Sequence, residues 1–476
     1  MVRVGGESKR ALGDWQTPRA LADALVARLP VRPSVVVEPT CGEGALLEAA
    51  ARRWPGARLF GVELREDYAA HARARLPAHA SIRVADVFAI DWARELARFA
   101  HDGPLLVLGN PPWVTAATLG ALGVDNGPAR RRVPGLRGLD ARTGKSNFDL
   151  AEAVLLRLLE AVAPRRATLA MLCKTSVARR VLERADAAGW GLTPGGLFAI
   201  DAARHFAASV DAALLVCEAG GAAGVGVTWP VFADLEARAP RSHLAFADGA
   251  VIADADAHAR TAHLAGSSSP AWRSGIKHDC AAVMELTRAG AHLENGLGER
   301  VAIEDELVFP LVKGSDLDRG LEVERAVVVP QRTLGEDTSA LGARAPAAQR
   351  YLRRHRARLF ARKSSVYRGR PEFAIFGVGP YAFAPYKVAI SGLHKRLRFV
   401  LLGPRAGRPV MLDDTCYFLP FEDEQRAGAA LEALRSPIAT EFLRARIFWD
   451  QKRPIRKAIL QQLDLDALFA ELAAGP

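Results

Sequence analysis

Between residues 35 and 217 short apolar runs alternate with segments whose apolar side chains recur at helical spacing. The runs at 35–37, 59–64, 82–87, 105–108, 167–173, 196–200 and 212–217 read as strands, and the segments at 45–53, 66–75, 150–162 and 177–188 read as helices. A further helix is expected at 19–29, opened by Pro18. Strands alternating with amphipathic helices specify an α/β domain: a mostly parallel sheet covered on both faces. Residues 201–211 are too few for a crossover helix with its turns, so the seventh strand should run antiparallel.

The fourth strand ends on Asn110-Pro111-Pro112-Trp113. Two consecutive prolines cannot continue a strand, because each removes a ladder donor and fixes φ. The strand therefore stops and presents an amide, a rigid turn and a large ring at its carboxyl end, the edge where open α/β sheets bind ligands. An amide oxygen accepts from an NH₂ group and a flat ring stacks on the plane that carries it. The pair suits a planar, amino-bearing acceptor.

Three other strand ends share that edge. The first carries Glu38-Pro39-Thr40-Cys41-Gly42-Glu43-Gly44, where glycine lets the backbone approach a ligand and two acids suit a cationic one. Glu63, nineteen residues beyond Gly44, is spaced to take the two hydroxyls of a ribose. Asp86-Val87-Phe88 offers a carboxylate to an adenine amino group and apolar cover for its ring. Together they make a nucleoside pocket. A dinucleotide is excluded, since the turn lacks G-x-G-x-x-G and Glu38 would repel a pyrophosphate.

The chain has 476 residues, room for two or three domains. The glycine-rich stretch 220–226 reads as a linker, dividing it into 1–225 and 226–476. The second part has short elements broken by glycine and proline, with β-like stretches at 326–329, 373–376, 388–390 and 399–402, and reads as irregular α+β. No apolar run is long enough to span a membrane, and residues 1–10 lack the apolar centre of a secretory signal. Five scattered cysteines without C-x-x-C imply neither a disulfide frame nor a zinc site, so a cytoplasmic location and no metal are expected. Net charge is +11, and residues 338–371 hold ten basic side chains and no acid, with Tyr351, His355 and Tyr367 interleaved. A one-sign run with aromatics fits a surface that tracks phosphates. His278-Asp279-Cys280 is contiguous, and contiguity does not by itself converge a nucleophile on its base. Asn147 and Asp149 read as caps of the helix that follows them.

On these residues the chain resembles the class I S-adenosylmethionine-dependent methyltransferases. Its motif order is similar to the gamma group of amino-adenine DNA methyltransferases, which includes the Taq modification methylase. In that group a T-P segment is followed by the acidic-glycine turn, N-P-P-aromatic and a target recognition domain. Here these are Trp15-Gln16-Thr17-Pro18, Glu38 to Gly44, Asn110 to Trp113 and the second half. The resemblance implies a Rossmann-like catalytic domain with a seven-stranded, mostly parallel sheet whose last strand is antiparallel, followed by an irregular α+β recognition domain.

It also implies roles. Thr17 and Pro18 would border the methionine part of S-adenosyl-L-methionine. Glu38, Cys41 and Gly42, with Thr40 among them, would hold its amino-acid end. Glu63 would hold the ribose, and Asp86, Val87 and Phe88 the adenine. Asn110, Pro111, Pro112 and Trp113 would hold the acceptor, and Phe206 would clamp the outer face of the target base. Trp113 stands where the family more often has tyrosine or phenylalanine. The partner would be double-stranded DNA, met by Arg130, Arg132 and Lys145 in the long glycine-rich segment 114–147, which also carries Arg131, Arg137 and Arg142 and is expected to order on DNA. Arg353, Arg354, Arg362, Lys363, Tyr367 and Lys387 would contact DNA from the second half. The segments 313–316, 362–367 and 386–392 also resemble stretches that follow this catalytic domain in related methylases.

The activity so implied is transfer of a methyl group to adenine N6 in a specific DNA sequence, by a monomer whose cognate restriction endonuclease would be a separate protein. N-P-P-aromatic also serves methylation of protein glutamine, and RNA is a further candidate acceptor. The basic second half argues against a peptide, and the intact Asn110 with a full cofactor constellation argues against a non-catalytic DNA-binding module.

Overall fold

The valines of residues 35–37 and the leucine-rich run at 105–107 lie side by side as parallel strands, Val35 opposite Leu105 and Val37 opposite Val107, and every residue of both strands is buried. The computed structural model describes residues 15–99, 102–115, 149–221, 226–247, 250–290, 292–319 and 325–475. The chain forms two units, Met1–Asp256 and Ala257–Pro476.

In the first unit the order is α1 (Arg19–Arg28), β1 (Val35–Glu38), α2 (Ala45–Arg53), β2 (Arg58–Glu63), α3 (Glu66–Arg75), β3 (Ser81–Val84), α4 (Trp92–Ala97), β4 (Leu105–Gly109), α5 (Leu150–Val162), β5 (Ala167–Lys174), α6 (Thr175–Ala187), β6 (Thr193–Ile200), α7 (Ala202–Phe206), β7 (Ala212–Ala219), β8 (Thr228–Phe232), β9 (Ser242–Ala247) and β10 (Ala250–Ile252). Across the sheet they stand β10-β9-β8-β6-β7-β5-β4-β1-β2-β3. The strands from β3 to β5 are all parallel, and β7 runs antiparallel to both β5 and β6, as the short 201–211 connection requires. Helix starts follow local chemistry: Asp149 caps α5 by accepting from the Ala151 amide, and Asp201 caps α7 by accepting from the Arg204 amide.

Two expectations are corrected. Among the described residues the sheet has ten strands rather than seven. The glycine-rich stretch, of which 222–225 lie outside the described residues, leads into β8, which pairs with β6 through Leu197–Val231 and Phe198–Phe232. The Phe198 and Phe232 rings stack at 4.4 Å, and the Arg28 guanidinium lies 4.3 Å over Phe198. That aromatic seal continues the sheet past residue 225, so the first unit ends at Asp256.

The second unit holds two sheets. A four-stranded sheet centres on the antiparallel pair Tyr386–Ser391 and Cys416–Phe421, and its core includes Phe399, Phe442 and Leu434 from neighbouring segments. A six-stranded sheet contains Glu285–Ala289, His292–Asn295, Val308–Val312 and Arg325–Val328. The β-like reading of 373–376 is corrected: these residues are no strand. Phe373, Ala374 and Ile375 are buried in a turn-rich segment after Pro371, and their backbone is met largely by side chains: the Ile375 amide donates to Gln331, and the Ala374 carbonyl accepts from Arg362.

Candidate active site

The site is built at the carboxyl ends of β1, β2, β3 and β4. β1 ends on Glu38, and the chain turns through Gly42, whose φ of +52° lies in the left-handed region. That φ favours glycine, and a side chain there would also have to displace the Gln16 amide. The turn is pinned from two sides. The Gly42 amide donates to Glu63 Oε2 at 2.9 Å, and the Glu43 amide donates to Gln16 Oε1 at 3.1 Å. The other Glu63 oxygen accepts from the Arg65 amide at 2.9 Å. Glu63 therefore ties the end of β2 to the glycine turn.

These ends enclose a cavity of about 250 Å³. The expected residues Thr17, Glu38, Thr40, Cys41, Gly42, Glu63, Asp86, Val87, Phe88, Asn110 and Pro112 all line it; Pro18, Pro111, Trp113 and Phe206 do not. Asp86 Oδ1 accepts from the Phe88 amide at 2.9 Å, holding the turn that presents the Phe88 ring. That ring packs on Val114 and Leu150, two lining residues the sequence reading did not name. Trp15, Gln16, Arg65 and Tyr68 also line the cavity. Their signal in the sequence was weak: Trp15 and Gln16 adjoin the T-P pair, and nothing marks Arg65 or Tyr68.

Glu38 is 2 % exposed and its Oε2 has no hydrogen-bond partner. Burial holds its carboxyl well above the ordinary carboxylate range; the Leu47 backbone amide opposes this and Glu63 adds to it. Thr40 Oγ1 is likewise buried and unpartnered. Burial and the two neighbouring acids also push the Cys41 thiol up, so it is an inert lining group. A buried carboxyl with one unpartnered oxygen, lining a cavity, fits a ligand that brings positive charge. S-adenosylmethionine, with an ammonium and a sulfonium, meets that test.

Asn110 follows β4, the strand next to β1. Its Nδ2 donates to the Trp15 carbonyl at 3.0 Å and lies 3.2 Å from Thr17 Oγ1. Two acceptors on one side fix the amide orientation and leave Oδ1 buried without a partner. The Trp113 ring is 5 % exposed and meets the Phe206 ring edge-on at 5.1 Å, and Trp15 meets the same ring at 6.4 Å. The structure thus brings Phe206 to the N-P-P-W turn. The Trp113 carbonyl accepts from Lys174 Nζ at 3.0 Å, and Lys174 pairs with Asp149 at 2.6 Å. Sequence reasoning missed Lys174, although a lone lysine ending an apolar strand at the ligand-binding edge was a usable sign.

The second-half residues divide. Arg353 and Lys363 are exposed, and Arg354 is exposed and paired with Glu299 at 3.1 Å. Lys387 is corrected as a surface contact. It is 1 % exposed, donates to the Ala384 carbonyl at 2.6 Å, and burial brings its pKa down to about 8. Arg362 is corrected too. Its guanidinium donates to the carbonyls of Leu359, Ala374 and Glu372 and lies 3.8 Å from the centre of the Tyr367 ring. The Tyr367 hydroxyl donates to the Lys277 carbonyl at 3.1 Å. The His278 ring accepts from the Cys280 amide at 3.2 Å and pairs with Glu285, and burial raises the Cys280 thiol, so these three residues form no nucleophilic site. Arg130, Arg131, Arg132, Arg137, Arg142, Lys145 and Asn147 lie outside the described residues. No helix among the described residues is long and apolar enough to cross a membrane.

No family model matches the chain. Over 479 residues it is 38 % identical to the Type II methyltransferase M.NspV of Nostoc sp., an alignment covering 98 % of this chain and 99 % of that one. In three dimensions it is similar to the Type IIL restriction-modification enzyme MmeI, solved in complex with DNA, with a TM-score of 0.52 at 13 % identity. That match covers 93 % of this chain, which spans 64 % of MmeI. At that identity the likeness speaks for fold alone. The full-length relationship to M.NspV, on top of the acid-lined cavity and the oriented amide beside it, shows that the chain belongs to the Type II methyltransferase family, with S-adenosylmethionine as its cofactor.

Proposed function

We propose that this protein methylates adenine N6 at a specific sequence in double-stranded DNA, as the modification enzyme of a restriction-modification system, and that it belongs to the gamma group. The observation that carries the reading is the Asn110 amide, whose donors are held by Trp15 and Thr17 so that a buried, unpartnered oxygen remains for an incoming NH₂. M.NspV is a Type II methyltransferase and MmeI was solved on DNA, which agrees with this choice of acceptor. So do the exposed cations of the acid-free run 338–371.

When bound, S-adenosylmethionine supplies a methyl group on a cationic sulfur. The residues around the cavity would orient it: Glu38, Thr40, Cys41 and Gly42 would hold its amino-acid end, Glu63 its ribose, and Asp86, Val87 and Phe88 its adenine. On the acceptor side, N6 is a poor nucleophile because its lone pair is delocalised into the ring. Asn110 Oδ1 and the Pro111 carbonyl accept its two N–H bonds, favour a more tetrahedral nitrogen and stabilise the charge that develops on it. No general base is needed before transfer; the proton leaves afterwards. Adenine inside a duplex cannot reach this pocket, so it must be flipped out at a cost of a few kcal/mol. Stacking on Trp113 and Phe206 would offset about 1–3 kcal/mol of that per base.

The test is transfer of tritiated methyl to unmethylated DNA, RNA and protein, followed by nucleoside analysis. N6-methyladenine in DNA is the expected product. Labelled RNA or labelled glutamine would replace the reading with one of its competitors. Asn110→Ala should still bind DNA and transfer almost nothing, and near-normal turnover would overturn the mechanism.

A further inference from the structure

Lys174 is the last residue of β5, and it is not among the residues that line the cavity. Its side chain is 21 % exposed, and its ammonium bridges two groups on separate elements: the Trp113 carbonyl at 3.0 Å and Asp149 Oδ2 at 2.6 Å. Asp149 is 5 % exposed at its side chain and uses its other oxygen to cap α5 at the Ala151 amide. The backbones meet at the same place. Thr115 and Asp149 form an antiparallel bridge, and the Leu150 amide donates to the Val114 carbonyl at 2.8 Å. One cation therefore joins the exit of the N-P-P-W turn, the start of α5 and the end of β5.

We propose that Lys174 is a positioning residue that fixes the Trp113 peptide, and with it the ring on which the acceptor base stacks. The reasoning is geometric. Pro111 and Pro112 lock φ and lack N–H groups, so two of the turn's four residues offer no backbone donor to hold it in place. The Trp113 carbonyl is the group by which an outside side chain can set the rotation of this peptide. A lysine is a point charge with three donors, so it can serve that carbonyl and Asp149 together. Asp149, held by its cap, keeps the ammonium from swinging out to solvent. The proposal rests on the methyltransferase reading of the Asn110–Trp113 turn, but the contacts do not depend on which acceptor is used.

The experiment compares wild type, Lys174→Met and Lys174→Arg in single-turnover methyl transfer at saturating S-adenosylmethionine. Cofactor affinity is measured by calorimetry, and acceptor stacking is read from 2-aminopurine placed at the methylated position. A misplaced stacking ring should lower the transfer rate of Lys174→Met by about 10²-fold. Its cofactor dissociation constant should stay near that of wild type, and the 2-aminopurine signal should lose its stacked component. Lys174→Arg, which keeps the positive charge and several donors, should recover most of the rate. A Lys174→Met enzyme that transfers at the wild-type rate would overturn the proposal, as would one that loses cofactor affinity in proportion to rate. Should Lys174→Met not fold, Asp149→Asn takes its place: it keeps the cap and frees the ammonium, so its rate should fall between those of wild type and Asn110→Ala. An Asp149→Asn enzyme with the wild-type rate and stacking would equally refute the role. If wild type labels RNA or protein instead of DNA, the DNA reading fails by itself, and the same rate ratios taken on that acceptor still decide for or against Lys174.

Discussion

Asn110 and Thr17 stand 93 positions apart in the chain, and the amide nitrogen of one lies 3.2 Å from the hydroxyl oxygen of the other. The residue that would border the cofactor thus orients the residue that would hold the acceptor. Thr17→Val removes one of the two acceptors on Nδ2 and leaves the Trp15 carbonyl to hold the amide alone. A single hydrogen bond of this kind is worth about 1 kcal/mol, so single-turnover transfer should fall by about 5–10-fold while the fold is kept. Thr17→Ser should restore the rate. Equal rates for the valine variant and wild type would show that Trp15 suffices.

Glu38 makes cofactor binding depend on pH. Its folded carboxyl is raised well above 4.5 by burial, so the folded state binds the proton more tightly than the unfolded chain. The free enzyme should therefore lose stability as pH rises from the unfolded value through the raised one. A cationic ligand favours the ionised form, so S-adenosylmethionine should bind with proton release and more tightly at higher pH. Calorimetry in buffers of different ionisation enthalpy reads the released proton directly. Glu38→Gln should abolish that release, flatten the pH dependence and stabilise the free enzyme at pH 8.

Lys387 tests burial against charge. Its pKa is brought down to about 8 from 10.5, so below pH 8 the folded protein holds a buried cation that the unfolded chain would leave in water. Lys387→Met should then stabilise the protein at pH 7 by up to about 3 kcal/mol, the gain fading as pH rises from 8 to 10.5. Denaturant melts across that range give the measurement. DNA affinity should be unchanged.

Arg353 and Arg362 should separate surface contact from scaffold. Arg353 is exposed and makes no ion pair among the described residues, so Arg353→Ala should weaken DNA binding at every sequence and reduce the salt slope by about 1. Arg362→Ala would strip hydrogen bonds from four backbone carbonyls, those of Leu359, His278, Ala374 and Glu372, and should lower the melting temperature without changing the slope.

The nucleotide-side residues were legible because strand ends are marked: Glu38, Glu63, Asp86 and Asn110 each close or follow an apolar run, and period alone puts them on one edge. Trp113 and Phe206 could be paired only through the resemblance, since 93 residues separate them and nothing local predicts the edge-on contact. Lys174 was passed over because one lysine after β5 has no partner visible in sequence; Asp149 had been read as a cap alone. Lys387 and Arg362 were misread for the opposite reason. A string of letters shows charge but not depth, and both side chains point into the fold. The sheet was cut short at 225 because glycine density signals a turn whether the next strand leaves the sheet or extends it.

The adjacency of β1 and β4 has a mechanical meaning. Neighbouring strands lie about 4.8 Å apart, and Val37 pairs with Val107, so the amide that would face the acceptor follows the strand beside the acid that would face the cofactor, two residues beyond its level. That register is a gauge block for the reaction: it sets how donor and acceptor halves stand to one another before either ligand arrives. A one-residue slip in this pairing would turn Asn110 to the opposite face. The buried core around Val36 and Leu106 therefore keeps the calibration of the chemistry, and turnover becomes a sensitive reporter of strain there.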